Sequence, residues 1–442
     1  MLLVQFCRKH LYLVLLALCL ILITIPQMRK SYLAADGLPF TWTTSKVWLE
    51  SAECARATSK FLVLCPSSAI EPIANGFGGD DLGHALALEI YSVITGKAAL
   101  PTHISLLNTT INYLSLLTLA SLLLAMGLPF VCLSLLAVGP SIANQFHALT
   151  PHPAQFGVAC LVSILPLAVL GNPRISRTWV AIGIVALALA FLFREAIGMM
   201  GVVTSLLALL LRLFSQRGKF AITQMILLAA IITVSATPYF LLRGRDAIYN
   251  LPPAKKLESH GTWANLYMGL GGAANPFGIE WNDFSAINAV KAVDPSVEYL
   301  SPRFYQILKD RYFEIVRSNP VGVATVYLKK FEVTLQTRMP VWIRSFPLWL
   351  IIAALSVAGT LTRRIVPINQ TMVAYDAVLI VSGIYVAAFV AQATLFSFDL
   401  QYLFPIQLFL LLSTAVVVDI MFRQINIQNY SGWKGVAAKR GK

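Results

Sequence analysis

Residues 154–171 read AQFGVACLVSILPLAVLG, an apolar stretch without a charged side chain. Its length is close to the ~20 residues that a helix needs to cross a bilayer. Similar stretches recur along the 442 residues, of which 57% are hydrophobic and only 12% are charged. The strands of a membrane barrel would alternate apolar and polar residues, and these stretches do not. The sequence therefore predicts an all-α, polytopic membrane protein.

Ten apolar stretches are predicted to be spanning helices. They lie at 11–27, 104–126, 128–149, 154–171, 177–193, 196–214, 220–242, 341–361, 372–396 and 400–421. Arg8 and Lys9 precede the first stretch as in a signal peptide. No small-residue cleavage site follows it, so an uncleaved first span is predicted.

The net charge of +14 is concentrated in short Lys and Arg clusters between the apolar stretches and in the C-terminal tail. This distribution is typical of cytoplasmic connections rather than of a nucleic-acid-binding surface, so we expect no nucleic-acid partner and both termini in the cytoplasm. Residues 1–242 then form an N-terminal membrane bundle with a first outer segment at 28–103. Residues 243–340 form an outer lobe or lid, and residues 341–442 form C-terminal spans with a basic cytoplasmic tail.

The first outer segment carries two adjacent acids, Asp80 and Asp81, in the stretch GFGGDDLGH at 76–84. Carboxylates are costly beside lipid and are more often functional there than on a soluble surface. Apolar residues at helical spacing in 81–95 predict an interfacial helix after the pair. The glycines before the pair permit a tight turn, so one of the two acids is a candidate N-cap of this helix. The second acid is then unexplained.

Cys54 and Cys65 share the first outer segment. An oxidising compartment would allow a disulfide between them, and the sequence leaves this open. The chain contains no Cys/His spacing typical of a metal site and no phosphate-binding loop, so a nucleotide cofactor is not expected.

The second outer segment is rich in aromatic residues. Its stretch SPRFYQILKDRYFEIVRSNP predicts a helix that starts at Ser301, with Pro302 in the first turn, and ends before Pro320. This segment has two interpretations, a packed lobe outside the membrane or a lid over a substrate. Trp263 and Tyr267 beside Gly-rich turns suit the second, because the apolar face of a sugar ring stacks on aromatic rings.

Four short stretches of the sequence resemble those of a known family. They are the acid pair at 80–81, FREAIG at 193–198, HGTWANLYMGLG with NPFGIEWND at 260–283, and QYLFPIQLFLL at 401–411. In this order they resemble the GT-C class of membrane glycosyltransferases, in its bacterial form. Gln401 stands where many relatives have Arg, which puts a role of that position in stabilising the leaving group in doubt.

The resemblance implies a hexosyl- or pentosyltransferase of the bacterial inner membrane, acting on the periplasmic face in cell-envelope glycan biosynthesis. The donor would be a polyprenyl-phosphate-linked sugar, and the acceptor a hydroxyl group of a glycan, a lipid or a protein. Membrane lipids would be further partners. A single displacement would invert the anomeric carbon.

Within this reading, Asp81 or Asp80 is the expected general base, because a carboxylate near a second acid in a partly desolvated site can gain basicity. Cations are expected to stabilise the departing phosphate, and polar and aromatic groups to orient the sugar. The candidate substrate-binding residues are Arg194, Glu195, His84, His260, Trp263, Tyr267, Asp283, Arg303, Lys329, Lys330, Gln401 and Tyr402. Ordinary snorkelling at the membrane surface is the alternative role for each cation.

A divalent metal, Mg²⁺ or Mn²⁺, held by the acid pair with Glu195, is left open. Two other functions compete with transfer: a transporter or flippase of a lipid-linked saccharide, and a glycan polymerase or ligase without a carboxylate base. Transporters tend to place ionisable groups at the bilayer midplane and to break helices there. The predicted span interiors here are nearly free of charge, which favours chemistry on one face.

Overall fold

The computed structural model describes residues 25–26, 29–30, 32–33, 38, 40, 43–66, 69–76, 81–145, 147–171, 177–215, 222–256, 261–336, 370–396 and 403–421. Within these residues the fold is helical apart from one small antiparallel sheet. Its strands are β1 (Val63–Leu64) and β2 (Glu71–Pro72), and Val63 pairs with Pro72. The predicted all-α membrane fold is confirmed at this level.

The helices follow one another along the chain, with short 3₁₀ turns at Ile73–Gly76 and His152–Ala154. They are α1 Thr43–Thr58, α2 Leu82–Thr95, α3 Pro101–Ala125, α4 Pro129–Ala143, α5 Gln155–Leu170, α6 Arg177–Phe193, α7 Glu195–Ser215, α8 Ile222–Ser235, α9 Thr237–Tyr249, α10 Thr262–Gly269, α11 Asp283–Lys291, α12 Pro302–Ser318, α13 Pro320–Gln336, α14 Gln370–Leu395 and α15 Ile406–Met421.

Among the described residues, four helices are long and apolar enough to cross a membrane: α3, α5 with its preceding 3₁₀ turn, α7 and α14. Three shorter apolar helices, α4, α6 and α15, coincide with further predicted spans. The predicted span 341–361 and nearly all of 11–27 lie outside the described residues. The total of ten spans therefore stays a prediction.

The apolar stretch predicted as a span at 220–242 is helical but bent. The structure has two helices there, α8 and α9, whose axes differ by 56°. Pro238 lies in the first turn of α9. Its ring has no N–H to continue the hydrogen bonds of α8, which explains a break at this place. The second helix runs on to Tyr249 and includes charged residues that the prediction had placed beyond the span.

The membrane bundle packs around α5, which is buried along its whole length and contacts α3, α6, α7 and α14. Two glycines allow the closest of these approaches. A Cβ atom on Gly157 would lie 2.7 Å from the carbonyl oxygen of Ile111 on α3, and one on Gly183 would lie 2.8 Å from Cα of Leu165. Small residues at such contacts are typical of helix packing in membranes.

A second apolar core lies in residues 264–323, formed by α10, α11, α12 and the start of α13. The predicted helix in this lobe is confirmed. The Ser301 hydroxyl accepts a hydrogen bond from the Phe304 N–H, Pro302 is in the first turn, and Tyr305 and Leu308 are buried. The aromatic content of the segment therefore builds a core of its own outside the main bundle.

Candidate functional site

Asp81 occupies the N-cap position of α2, with its backbone in the left-handed region at φ 56° and ψ 47°. Its side chain makes no capping hydrogen bond to the helix. The Oδ2 atom accepts a hydrogen bond from Nη1 of Arg194 at 2.7 Å instead. Capping as the explanation for Asp81 is therefore wrong. A non-glycine residue in this conformation is uncommon, and such conformations cluster at functional sites.

Arg194 lies at the junction of α6 and α7, far along the sequence from its partner. The Asp81 side chain is 4% exposed and that of Arg194 is 17% exposed, so the ion pair is largely shielded from water. Charge-assisted bonds of this kind are strong where water is excluded. The pair joins the start of α2 to the end of a membrane helix.

His84, in the first turn of α2, lies beside this pair. Its ring stacks on Trp48 with the centroids 4.8 Å apart and meets the edge of Phe193 at 5.3 Å. Its Nε2 atom is 2.9 Å from Oδ1 of Asn108, whose amide nitrogen donates to the Thr150 carbonyl oxygen. The amide oxygen must then accept, so the Nε2 atom of His84 carries the proton.

The imidazole of His84 is neutral at physiological pH. Burial lowers its pKa to about 4, the bond to Asn108 opposes this shift, and the charge of Arg194 adds to it. In the part of the chain that the structure describes, its buried Nδ1 atom has no hydrogen-bond partner. This atom is a lone-pair acceptor beside the ion pair.

Polar side chains of α3 complete this end of the bundle. Asn112 donates to the Pro153 carbonyl oxygen at 2.9 Å and accepts from the Gly157 N–H at 2.7 Å. The ring of His152 bonds Gln155 at 3.0 Å. Asn108 and Asn112 were missed as site residues in the sequence. Their spacing of one helical turn inside an apolar span is the signal that could have found them, because polar groups in spans face the bundle interior.

The structure thus brings together three of the predicted site residues: Asp81, His84 and Arg194. Glu195 follows as the first residue of α7 and is exposed. Four other candidates, Asp80, His260, Gln401 and Tyr402, lie outside the described residues.

The remaining candidates belong to the lobe. Trp263 on α10 contacts Phe313 at 5.4 Å between ring centroids and has the Lys309 ammonium 5.2 Å from its ring. Tyr267 is buried in the core of the lobe. Asp283 on α11 and Arg303 on α12 are exposed.

The adjacent candidates Lys329 and Lys330 have opposite surroundings. Lys329 is exposed, whereas Lys330 is fully buried and donates to the carbonyl oxygens of Gly269 at 2.7 Å and Phe396 at 2.9 Å. These two carbonyls end α10 and α14, where helix dipoles favour a cation. Burial lowers the pKa of Lys330 to about 7. Lys330 is thus engaged in joining the lobe to the bundle, and Lys329 is the one that can meet a ligand.

Cys54 and Cys65 form a disulfide, which settles the alternative that the sequence left open. Beside it, Glu89 of α2 is a buried carboxyl group that the sequence did not single out. It accepts hydrogen bonds from the Ser51 hydroxyl and from the Leu62 N–H. Burial raises the pKa of Glu89 to about 7, against the opposing effect of these bonds and of Arg245.

Within the described residues, no group of three or more His, Cys, Asp or Glu side chains could hold a metal ion. The Asp81 carboxylate contacts a guanidinium, and a divalent cation beside that group would meet like charge. The site predicted for a divalent metal also includes Asp80, which lies outside the described residues, so a metal there stays an open prediction.

Comparison with protein-family models, with curated proteins and with solved structures finds no match to this chain.

Proposed function

We propose that the chain is a membrane glycosyltransferase that moves a sugar from a polyprenyl phosphate to an acceptor hydroxyl on the outer face. The observation that carries the proposal is the shielded pair of Asp81 and Arg194 at one end of a bundle of apolar helices. One carboxylate that can take a proton and one cation that can meet a phosphate are the two groups that this transfer requires.

In the proposed reaction the acceptor oxygen attacks the anomeric carbon, and its proton passes to the Asp81 carboxylate. The bond between the anomeric carbon and the phosphate oxygen breaks, so polyprenyl phosphate leaves with the bonding electrons. Attack in line with the departing group inverts the anomeric centre. No nucleotide is needed, because the leaving group is already a phosphate.

Arg194 has two tasks in this scheme. In the resting protein it keeps Asp81 ionised, because an adjacent guanidinium favours the carboxylate. When the Arg194 guanidinium also donates to a donor phosphate, its bond to Asp81 weakens. Asp81 then becomes a better proton acceptor. Donor binding would then activate the base. Lys329 and Arg303, both exposed, are further candidates for the phosphate.

The disulfide supports an outer location for the site. Cys54 and Cys65 lie in the same segment as Asp81, and disulfides persist in oxidising compartments such as the bacterial periplasm. We therefore place the site on the periplasmic face of a bacterial inner membrane, with both termini in the cytoplasm. Trp263 and Asp283 of the lobe are proposed to contact the sugar.

A transporter of a lipid-linked saccharide is the second candidate, because the axes of α8 and α9 differ by 56° across the break between them. Broken helices are typical of transporter binding sites. The less exposed charged groups of α9, Arg245 and Asp246, lie about two turns beyond this break and bond each other. This arrangement gives the transporter reading less support than the Asp81 pair gives to transfer.

The test is a transfer assay with purified protein in lipid and a panel of labelled polyprenyl-phosphate sugars, each run with and without EDTA. Wild type is compared with Asp81→Asn and with Asp80→Asn. Turnover that Asp81→Asn abolishes supports the proposed base, and unchanged turnover in EDTA supports a metal-free reaction. Turnover that survives both substitutions would contradict the carboxylate mechanism. If no donor turns over in folded protein while vesicles show saccharide flipping, the transporter reading replaces it.

A further inference from the structure

Helix α9 turns two of its charged residues, Arg245 and Asp246, toward the protein. Arg245 is 5% exposed, and its Nη1 atom donates to the Leu62 carbonyl oxygen at 2.8 Å, while Nη2 bonds Asp246 at 2.6 Å. At the end of the helix, the Tyr249 hydroxyl accepts from the Phe61 N–H at 3.2 Å. This face of α9 is therefore hydrogen-bonded to the segment 61–72, which contains β1, β2 and Cys65 of the disulfide.

The opposite face of α9 is apolar and open. Tyr239 is 56% exposed, Phe240 59% and Ile248 76%. Arg243, 67% exposed in its side chain, lies on the same face with its guanidinium carbon 5.4 Å from the centre of the Tyr239 ring. A surface helix in water shows the reverse pattern, with apolar residues inside and charges outside.

The position of α9 in the chain explains this inverted pattern. It follows α8, whose large exposed side chains, Ile222, Met225, Ile226 and Ile232, are apolar, as suits lipid. At the break the chain turns by 56°, and the helix beyond it is no longer apolar all round. Aromatic rings and a snorkelling arginine on one face are typical of the boundary between lipid headgroups and acyl chains.

We propose that α9 is a membrane-interface helix that binds the outer lipid leaflet through Tyr239, Phe240 and Ile248, with Arg243 at the level of the lipid phosphates. Lipid is the favoured occupant because the face is continuous with the apolar surface of α8 and combines aromatic rings with a cation. The helix thereby holds the segment that carries Asp81 at the membrane surface. This inference holds whether or not the chain transfers sugars.

The test measures the depth of spin labels in bilayers of phosphatidylcholine and phosphatidylglycerol. The full chain keeps its disulfide, and the other four cysteines are replaced by alanine. Single labels are introduced by Phe240→Cys, Ile248→Cys and Arg243→Cys. The control is Lys255→Cys, because Lys255 is exposed and its backbone N–H bonds Asn75 in the 3₁₀ turn beside the hairpin. All four labelled side chains are exposed, so the labels displace no core residue.

The proposal predicts that the labels at Phe240 and Ile248 collide more with oxygen than with a water-soluble nickel chelate. The label at Lys255 should show the reverse, and the label at Arg243 should lie between them. Strong collision with the nickel chelate at both Phe240 and Ile248 would place the face in water and overturn the proposal. Low collision with both reagents would overturn it as well, because the face would then be covered by protein, such as the segment 341–361.

Discussion

Two acids of the first outer segment, Asp81 and Glu89, are both buried but have different partners. Asp81 meets a guanidinium, which favours its ionised form, whereas Glu89 meets a hydroxyl and a backbone N–H. Burial raises the pKa of Glu89 to about 7. The same segment therefore holds two buried carboxyl groups, one with a proposed catalytic role and one with a structural role.

Glu89→Gln is expected to remove a pH dependence of stability. The folded-state pKa of Glu89, about 7, lies above its ordinary value of 4.5, so folding favours the protonated form. The stabilisation is complete below the unfolded-state pKa and is lost as the pH rises through about 7. At higher pH the glutamine variant should exceed wild type by on the order of 2–3 kcal/mol.

Thermal unfolding in detergent at a series of pH values checks this. The difference in stability between the two proteins should be small below about pH 4.5, grow from there to about pH 7, and level off above it. Equal slopes for wild type and variant would mean that Glu89 does not titrate in this range.

At the residue scale, the sequence predicted the acid pair but not its partner. Asp81 could be singled out because charge is scarce in the chain, and Arg194 was one candidate cation among several. Which cation meets Asp81 depends on the rotation of α6 and α7 about their axes, which a sequence of almost uniformly apolar helices does not determine. Asn108 was missed because polar residues in α3 look like interruptions of a span until their partners in the following connection are known.

At the level of single helices, the contact of α3 with α5 depends on a glycine. Gly157→Ala is expected to destabilise the bundle by about 1–3 kcal/mol, because its new methyl group would press on rigid backbone atoms of α3. Gly383→Ala is the matched control. Gly383 lies in α14 and a Cβ atom there meets nothing within 4 Å, so that variant should be neutral or slightly stabilised.

Thermal unfolding of the two variants beside wild type decides this point. Equal stability of all three proteins would show that α3 and α5 do not approach as closely as described.

At the junction of the lobe with α14, the adjacent residues Lys329 and Lys330 differ in burial and allow a second paired test. Lys330→Met is expected to loosen the lobe, because the buried ammonium that binds two helix-terminal carbonyls is lost. The cost should be about 1–3 kcal/mol. Lys329→Met removes an exposed charge from the same helix and should leave the junction intact.

Hydrogen exchange of residues 261–336 measures the effect. Faster exchange in the Lys330 variant alone is the expected result. Similar exchange in both variants would mean that the buried lysine does not hold the lobe.

Helix positions were largely predictable, because apolar stretches of spanning length have few alternatives in lipid. The break between α8 and α9 was not predicted, although Pro238 was visible. A proline inside an apolar stretch can be accommodated by neighbouring helices, as Pro166 is within α5, and only the packing around it decides whether the helix breaks.

On the scale of the whole molecule, the protein has separate cores in the membrane bundle and in the lobe, and a third apolar cluster around Trp48 beneath α2. Asp81 lies at the start of α2, so the site is placed between this third cluster and the bundle. The proposed orientation puts that side of the molecule in the periplasm.

The disulfide makes this orientation testable. In right-side-out membrane vesicles, Cys54 and Cys65 should react with a membrane-impermeant maleimide only after treatment with an impermeant reductant. Cys132 and Cys160 are buried in the bundle and should not react under either condition. Labelling of the pair only after the vesicles are opened would contradict the proposed topology, and labelling without reductant would contradict the disulfide.

The carboxylate of Asp81 is the proposed base of the transfer reaction, and a comparison of Asp81→Asn with Glu89→Gln tests this role most directly. Both variants replace one buried acid of the same segment by its amide, and both are assayed with the donor that supports turnover in wild type. We expect the turnover number of Asp81→Asn to fall by about 10²–10⁴ and that of Glu89→Gln to stay within a few-fold of wild type. Turnover of Asp81→Asn that stays close to that of Glu89→Gln would contradict the role of Asp81 as the base.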